Sequence, residues 1–206
     1  WIGANVSYAK NKILYMDEVK HVNDFNNQTG LSTGLTYGYE FERFYTEDDF
    51  TDVKKGILKD DVPKPSFGTP FPGDCKYVDK DGNGVIDTDD RTYLGYSTQR
   101  PEYVFGLNGG IDWKGWSFSM QWTGATHVSR NLATEYRIPF SPSGNRALFK
   151  YHADERWTPE TAKTATMPRF SDSSKALNYD QNSSLWVKDA SYIRLKNVQL
   201  GYTFNK

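Results

Sequence analysis

The residues from Asp79 to Asp90, DKDGNGVIDTDD, have the types and spacing that a hard cation requires. Oxygen-bearing side chains stand at positions one, three and five as Asp79, Asp81 and Asn83, and Gly84 holds position six, where such a loop turns sharply. Val85 at seven offers its backbone carbonyl, Ile86 at eight can pin the loop to apolar neighbours, and Asp87 and Asp90 fill positions nine and twelve. Calcium takes about six to eight oxygens at ~2.3–2.6 Å. The spacing therefore predicts Ca2+ held by Asp79, Asp81, Asn83, Val85, Asp87 and Asp90. An oxygen-only set favours Ca2+, with Mg2+ and its retained waters as the alternative. Asp90 is shorter than the Glu usual at the last position, so bidentate closure and strong affinity are not expected. The competing expectation is an Asx/Gly turn that is merely solvated. No helices are predicted on its flanks, so a bound ion would clip a loop and not open a helix pair. Asp89 falls outside the ligand positions and is expected to face solvent.

No second constellation of this kind exists in the sequence. His21, His127 and His152 are far apart and lack zinc-type spacing, and no Ser/His/Asp or Cys/His signature is present. The acidic pairs Asp60-Asp61 and Asp89-Asp90 are adjacent in sequence and give no sign of two carboxylates facing each other across a cleft. The chain is not expected to be an enzyme. Cys75, the one cysteine, cannot form an internal disulfide and reads as an inert thiol. Asp48, Asp49 and Asp52 beside Lys54 and Lys55 read as a solvated charge run. A net charge of −1 gives no electrostatic reason to expect nucleic acid. The opening residues WIGANVSYAKNK carry no signal-peptide pattern.

The elements that must position the loop are strands. Aromatic residues make up 16% of the chain while only 37% is hydrophobic, a balance that suits strands more than helices. Ile2, Ala4, Val6 and Tyr8 alternate with Gly3, Asn5 and Ser7. Tyr103, Phe105, Leu107, Ile111 and Trp113 alternate with Val104, Gly106, Asn108, Gly110 and Asp112. Trp116, Phe118, Met120 and Trp122 alternate with Ser117, Ser119, Gln121 and Thr123. Val198, Leu200, Tyr202 and Phe204 alternate with Asn197, Gln199, Gly201 and Thr203. Each strand thus has one aromatic-rich face and one polar face. Patterning alone favours a soluble β-sandwich, with the apolar faces buried and the polar faces solvated.

Connection lengths point elsewhere. Only a tight turn at Lys114-Gly115 separates the second and third strands, whereas very long segments follow the first and third. Mean hydropathy of −0.74 and the lack of an apolar run of about 20 residues exclude a membrane-spanning helix but not a membrane β-barrel. Outer-membrane barrels alternate short periplasmic turns with long extracellular loops, and Trp113 and Trp116 flank the turn where an aromatic girdle would lie. The expected fold is all-β: four antiparallel strands running up-down-up-down, an incomplete section of a large transmembrane β-barrel. Its long extracellular loops are expected at about 11–101 and 125–184, within a single unit spanning 1–206. The alternative is a secreted, cation-stabilised β-sandwich that binds carbohydrate.

The run from Ser66 to Ala125, SFGTPFPGDCKYVDKDGNGVIDTDDRTYLGYSTQRPEYVFGLNGGIDWKGWSFSMQWTGA, resembles the late part of the SusC/RagA family of TonB-dependent outer-membrane transporters. So do the opening Asn-Val-Ser-Tyr, the stretch Arg156-Trp157-Thr158-Pro159-Glu160, the pair Pro168-Arg169, and LWVKDASYIRLKNVQLGYTF at 185–204. The resemblance covers nearly the whole chain. Cys75 stands where the family usually has an aliphatic residue, and the family continues through further strands beyond Lys206. The resemblance implies a Gram-negative, Bacteroidetes-like outer-membrane importer of glycans or peptides. It also implies a SusD-like surface lipoprotein as lid, surrounding outer-membrane lipid, and energy delivered by TonB through a region absent from this chain. The plug and the carboxypeptidase-like extension of the family are likewise not expected within these residues. Loop aromatics such as Tyr37, Tyr39, Phe41, Phe44 and Tyr45 would then either stack on sugar, pack against the lid, or form a core of the loop itself. Ser117, Ser119, Gln121 and Asn108 would face either a hydrophilic substrate or the plug.

Overall fold

The computed structural model of the protein describes residues 1–139, 148–170 and 181–204. Four long strands form one antiparallel sheet in chain order: β1 (Ile2–Tyr8), β2 (Tyr103–Trp113), β3 (Trp116–Thr126) and β4 (Tyr192–Tyr202). The β2–β3 turn is tight because Lys114 (φ 45°) and Gly115 (φ 86°) both take left-handed conformations, the geometry whose twist matches a two-residue hairpin.

Directly paired residues share a face, so the register resolves the sheet into two surfaces. One row reads Ala4, Leu107, Trp122, Leu195; the rows beside it include Val6 with Phe105 and Ile111 with Phe118 and Leu200. At one rim Trp113 pairs with Trp116 and Trp116 with Tyr202, and at the other Tyr8 pairs with Tyr103, their rings 4.6 Å apart. The eleven residues of β2 extend ~37 Å, or about 26 Å after a tilt of ~45°, which is the height of the apolar band of an outer-membrane barrel. No second sheet covers this face among the described residues. Ile2, Val6, Ile111, Trp113, Ile193 and Leu200 are 65–81% exposed, which removes the β-sandwich alternative, since a sandwich would bury them.

The opposite face carries Asn5, Asn108, Ser117, Ser119, Gln121, Thr123, Asn197 and Gln199, with glycines between them. Its relief is low. A Cβ at Gly3 would stand 2.9 Å from Asn108 Oδ1, one at Gly106 2.8 Å from Asn5 Oδ1, and one at Gly201 2.7 Å from Ser117 Oγ. The polar side chains therefore lie across the neighbouring glycines and along the sheet.

β4 extends further back than the alternation from Val198 to Phe204 predicts. Gln121 pairs with Asn197 but Trp122 pairs with Leu195, so Lys196 is the extra residue of a β-bulge. The bulge restores phase: Ile193 and Leu195 join the apolar face with Val198 and Leu200, and Arg194 pairs with Thr123 on the polar one. An unbroken period of two would have set Arg194 and Lys196 among the exposed apolar side chains.

The segments between the strands form one packed body at the β1–β2 loop end of the sheet. Short ladders tie it together, including Phe41–Phe44 with Cys75–Tyr77 and Ser129–Asn131 with Val187–Asp189. The main core mixes both segments: Tyr39, Phe44, Cys75, Tyr77 and Ile86 from the first meet Ile138, Trp157, Met167, Leu185 and Trp186 from the second. Burial pushes the Cys75 thiol well up, consistent with an inert group. Asp49 is not part of a solvated run. It is 5% exposed and accepts two hydrogen bonds from Arg43, at 2.7 and 2.6 Å. Burial alone would raise its carboxyl, but the Arg43 guanidinium and the Thr46 N–H outweigh this and hold it at about 2.

The two segments meet at an ion pair. Asp74, 2% exposed, accepts Arg169 Nε at 2.6 Å and Nη2 at 3.1 Å, and also the Phe71 N–H at 2.9 Å. The adjacent Gly73 C=O accepts the Arg169 N–H, and a Cβ at Gly73 would lie 2.5 Å from the Trp157 ring. Pro72-Gly73-Asp74 is thus docked onto Trp157 and Arg169. Replacing Asp74 by Asn leaves a largely buried guanidinium without its counter-charge and is expected to destabilise the loop body by about 3 kcal/mol. In the full-length protein this appears as protease cleavage within 41–78 at temperatures where the wild-type loops resist; an unchanged cleavage profile would show that the pair does not hold the segments.

Candidate functional site

The Asp79–Asp90 loop lies at the surface of this body, anchored from beneath by Ile86, which is 1% exposed in the main core. Val85–Ile86 pairs in parallel with Lys64–Pro65, fixing the middle of the loop, and a one-turn 3-10 helix over Thr88–Asp90 closes it. Gly82 (φ 75°) and Gly84 (φ 82°) both occupy the left-handed region, so the chain turns where the calcium-loop spacing requires it to.

The carboxylates organise the loop from within. Asp79 accepts the N–H groups of Gly82 and Asn83 on Oδ1 and of Gly84 on Oδ2, at 2.7, 3.2 and 2.8 Å. Asp90, fully buried, accepts Lys80 N–H at 2.6 Å and Asp81 N–H at 3.4 Å on Oδ1, and Asp87 N–H at 2.9 Å on Oδ2. Burial raises the Asp90 carboxyl above the ordinary range, and these backbone donors offset only part of that rise. Asp81 accepts from Asn83, while Asn83 Oδ1 accepts the Val85 N–H and Asp87 Oδ1 the Asp89 N–H.

Of the six predicted ligands, Asp79, Asp81 and Asp90 come together, with one carboxylate oxygen from each within 4.8 Å of the others. Asp87 is not one of these three; its Oδ1 and Asn83 Oδ1 each accept a backbone N–H in an Asx-type turn, and the Val85 side chain is half-exposed. Among the described residues no lysine or arginine makes an ion pair with Asp79, Asp81 or Asp90; Lys80, between them, reaches instead to Glu40 at 3.0 Å. Asp89 is exposed, as expected; its N–H donates to Asp87 and its carbonyl accepts from Asn26.

The loop aromatics form cores. Tyr39, Phe44 and Tyr45 are buried, Phe41 packs on Phe44 at 5.1 Å, and Tyr37 packs on Tyr93 at 4.9 Å. The Arg91 guanidinium lies 5.0 Å from the Tyr39 ring centre. The residue that sequence reasoning missed is Arg169: its partner Asp74 is 95 positions away, and local charge spacing carries no trace of a pair that only tertiary folding makes.

Asp90 closes the loop whether or not a cation is present. Asp90→Asn retains one acceptor oxygen but turns an amide donor toward a backbone donor, at a cost of about 2 kcal/mol. With EDTA present, proteolysis within 79–90 is expected to accelerate in this variant relative to wild type; equal rates would contradict the role given to Asp90.

No protein-family profile matches the chain. Over 130 residues, 63% of this chain, it is 35% identical to TonB-dependent receptor P26 of Formosa agariphila, of which it covers 12%. Over 174 residues, 84% of this chain, it is 28% identical to TonB-dependent receptor P3 of the same organism, of which it covers 15%. It thus spans a small fraction of the length of these curated relatives. In fold it is similar to the RagAB peptide transporter, with a TM-score of 0.57 over 98% of this chain and 20% of the other, at 16% identity. The same importer in its open-open state gives the same score at 18% identity. The resemblance seen in the sequence and the barrel fold expected from it are both borne out.

Proposed function

We infer, for a chain that is a SusC/RagA-like section of a TonB-dependent transporter, that it forms part of the wall and outer mouth of an outer-membrane nutrient importer. The observation that carries this reading is the four-strand register, which sets Val6, Leu107, Ile111, Trp113, Ile193, Val198 and Leu200 on one exposed surface and most of the strands' amides and hydroxyls on the other. Such a sheet is stable with hydrocarbon on one side and water on the other. In this reading the long segments lie on one side of the membrane and the Lys114-Gly115 turn on the other, which the short-turn rule of outer-membrane barrels would make the periplasmic side. The family resemblance supports glycans or peptides as cargo and a SusD-like lipoprotein over the mouth, and the structural likeness to a peptide importer keeps peptides in view.

The arrangement is tested by placing a single reactive cysteine at Leu107 or at Asn108 in the full-length protein and spin-labelling each in lipid bilayers. The label at Leu107 is expected to be quenched by oxygen, which concentrates in lipid. The label at Asn108 should be shielded from oxygen and reached from the aqueous side by a nickel chelate. Identical accessibilities at these neighbours would overturn the membrane reading.

The Asp79–Asp90 loop serves in this reading as a cation clip on the external body. What supports it is a cluster of three carboxylate oxygens whose charge no described side chain neutralises. Asp79, Asp81 and Asp90 would hold Ca2+, which would supply the missing positive charge; Asn83 Oδ1, the Val85 carbonyl and an Asp87 carboxylate oxygen would complete the set. Millimolar Ca2+ is expected to slow proteolysis of this loop severalfold, EDTA to reverse that, and Asp81→Asn to abolish the response. Ca2+-independent proteolysis of the wild type would leave the solvated turn as the account.

A further inference from the structure

Where β1 enters the first long segment, the surface opens into a cleft of ≈ 530 Å³. Its floor is apolar, made by Tyr8, Leu31 and Leu35, and its upper wall carries Lys10, Lys12 and Glu102. The frame is fixed by backbone bonds: Ala9 N–H to Glu102 C=O continues the β1–β2 pairing one rung beyond Tyr8, and Ile13 exchanges hydrogen bonds with Gly30 and Leu31.

Charge in the cleft is unbalanced. Lys10 Nζ lies 3.1 Å from Glu102 Oε1, and Glu102 Oε2 lies 3.0 Å from His127 Nδ1, so the carboxylate is already fully engaged. Lys12 has no ion-pair partner among the described residues, and its side chain runs over Gly30. One ammonium group is therefore left without a counter-ion above an apolar floor.

The depth of this ammonium is set by the sheet. Tyr8 and Tyr103 form the aromatic row that marks the boundary of the apolar face. Lys10 follows Tyr8 by two residues, about 7 Å further from the apolar band, and lines the cleft together with Tyr8. That level is where the phosphates of lipid headgroups lie, and a lysine there meets them with its stem still against apolar atoms.

We propose that this cleft binds the phosphorylated headgroup of an outer-leaflet lipid, with Lys12 as the main phosphate contact, Lys10 as the second, and the Tyr8–Leu31–Leu35 floor against the first part of an acyl chain. The proposal rests on the membrane orientation inferred above. The lipid, not free phosphate, is the ligand, because the floor is apolar and continuous with the lipid-facing side of β1.

The test uses full-length protein in neutral detergent, with added phosphatidic acid as probe and retained lipid read by native mass spectrometry. Wild type is expected to hold one phosphatidic acid in preference to phosphatidylcholine. Lys12→Gln should lower retention about fivefold and Lys10→Gln/Lys12→Gln further, with inorganic phosphate at 10 mM failing to displace the lipid. Equal retention by wild type and the double variant overturns the site, and displacement by inorganic phosphate overturns the lipid assignment. Either negative result alongside the expected labelling contrast at Leu107 and Asn108 defeats the cleft alone. Loss of that contrast defeats the membrane reading beneath it.

Discussion

The ion pair between Asp74 and Arg169 joins chain segments 95 residues apart, and the loop body is arranged around it. A carboxylate that is 2% exposed is tolerable only with its charge met and its lone pairs occupied, which Arg169 and the Phe71 N–H together achieve. The same contact brings the Gly73 backbone against Trp157, and Trp157 in turn belongs to the core that contains Tyr39, Tyr77 and Ile86. Ile86 is the anchor of the acidic loop. The candidate cation loop therefore inherits its position from a charge pair in which none of its own residues takes part.

The sheet obeys a different constraint. In the membrane reading its strands need only keep alternating, because hydrocarbon and water would select opposite surfaces of each one. This explains why the two halves of the structure differ in composition. Large apolar residues such as Ile111 and Leu200 remain exposed on the strands, while the loops bury Trp186, Tyr39 and Tyr45 almost completely. The loops build a core of their own, and in the membrane reading hydrocarbon would serve the strands in place of one.

Much of the sheet was legible because period-two patterning acts locally. Trp116 to Thr123 reads as a strand from its residues alone, and the long-short-long connections separate a barrel section from a sandwich. The bulge at Lys196 was not legible in advance, since a single inserted residue looks like the end of an alternating run until the pairing of Trp122 with Leu195 is seen. In the loop, Asp79, Asp81 and Asp90 converge as their spacing indicates, while Asn83 and Asp87 turn to nearby N–H groups that position rules ignore. Asp49 and Arg43 were missed for a related reason: a charge run looks solvated when the partner that buries it stands outside the run.

The low relief of the polar face bears on the bore that the sheet would help enclose. Because Asn108, Asn5 and Ser117 recline over Gly3, Gly106 and Gly201, the wall is little thicker than its own backbone. Methyl groups at those three glycines would force the reclining side chains upright and narrow the passage from this side by roughly the length of an amide. In such a bore, clearance at these points would be set by small residues that themselves touch nothing passing through.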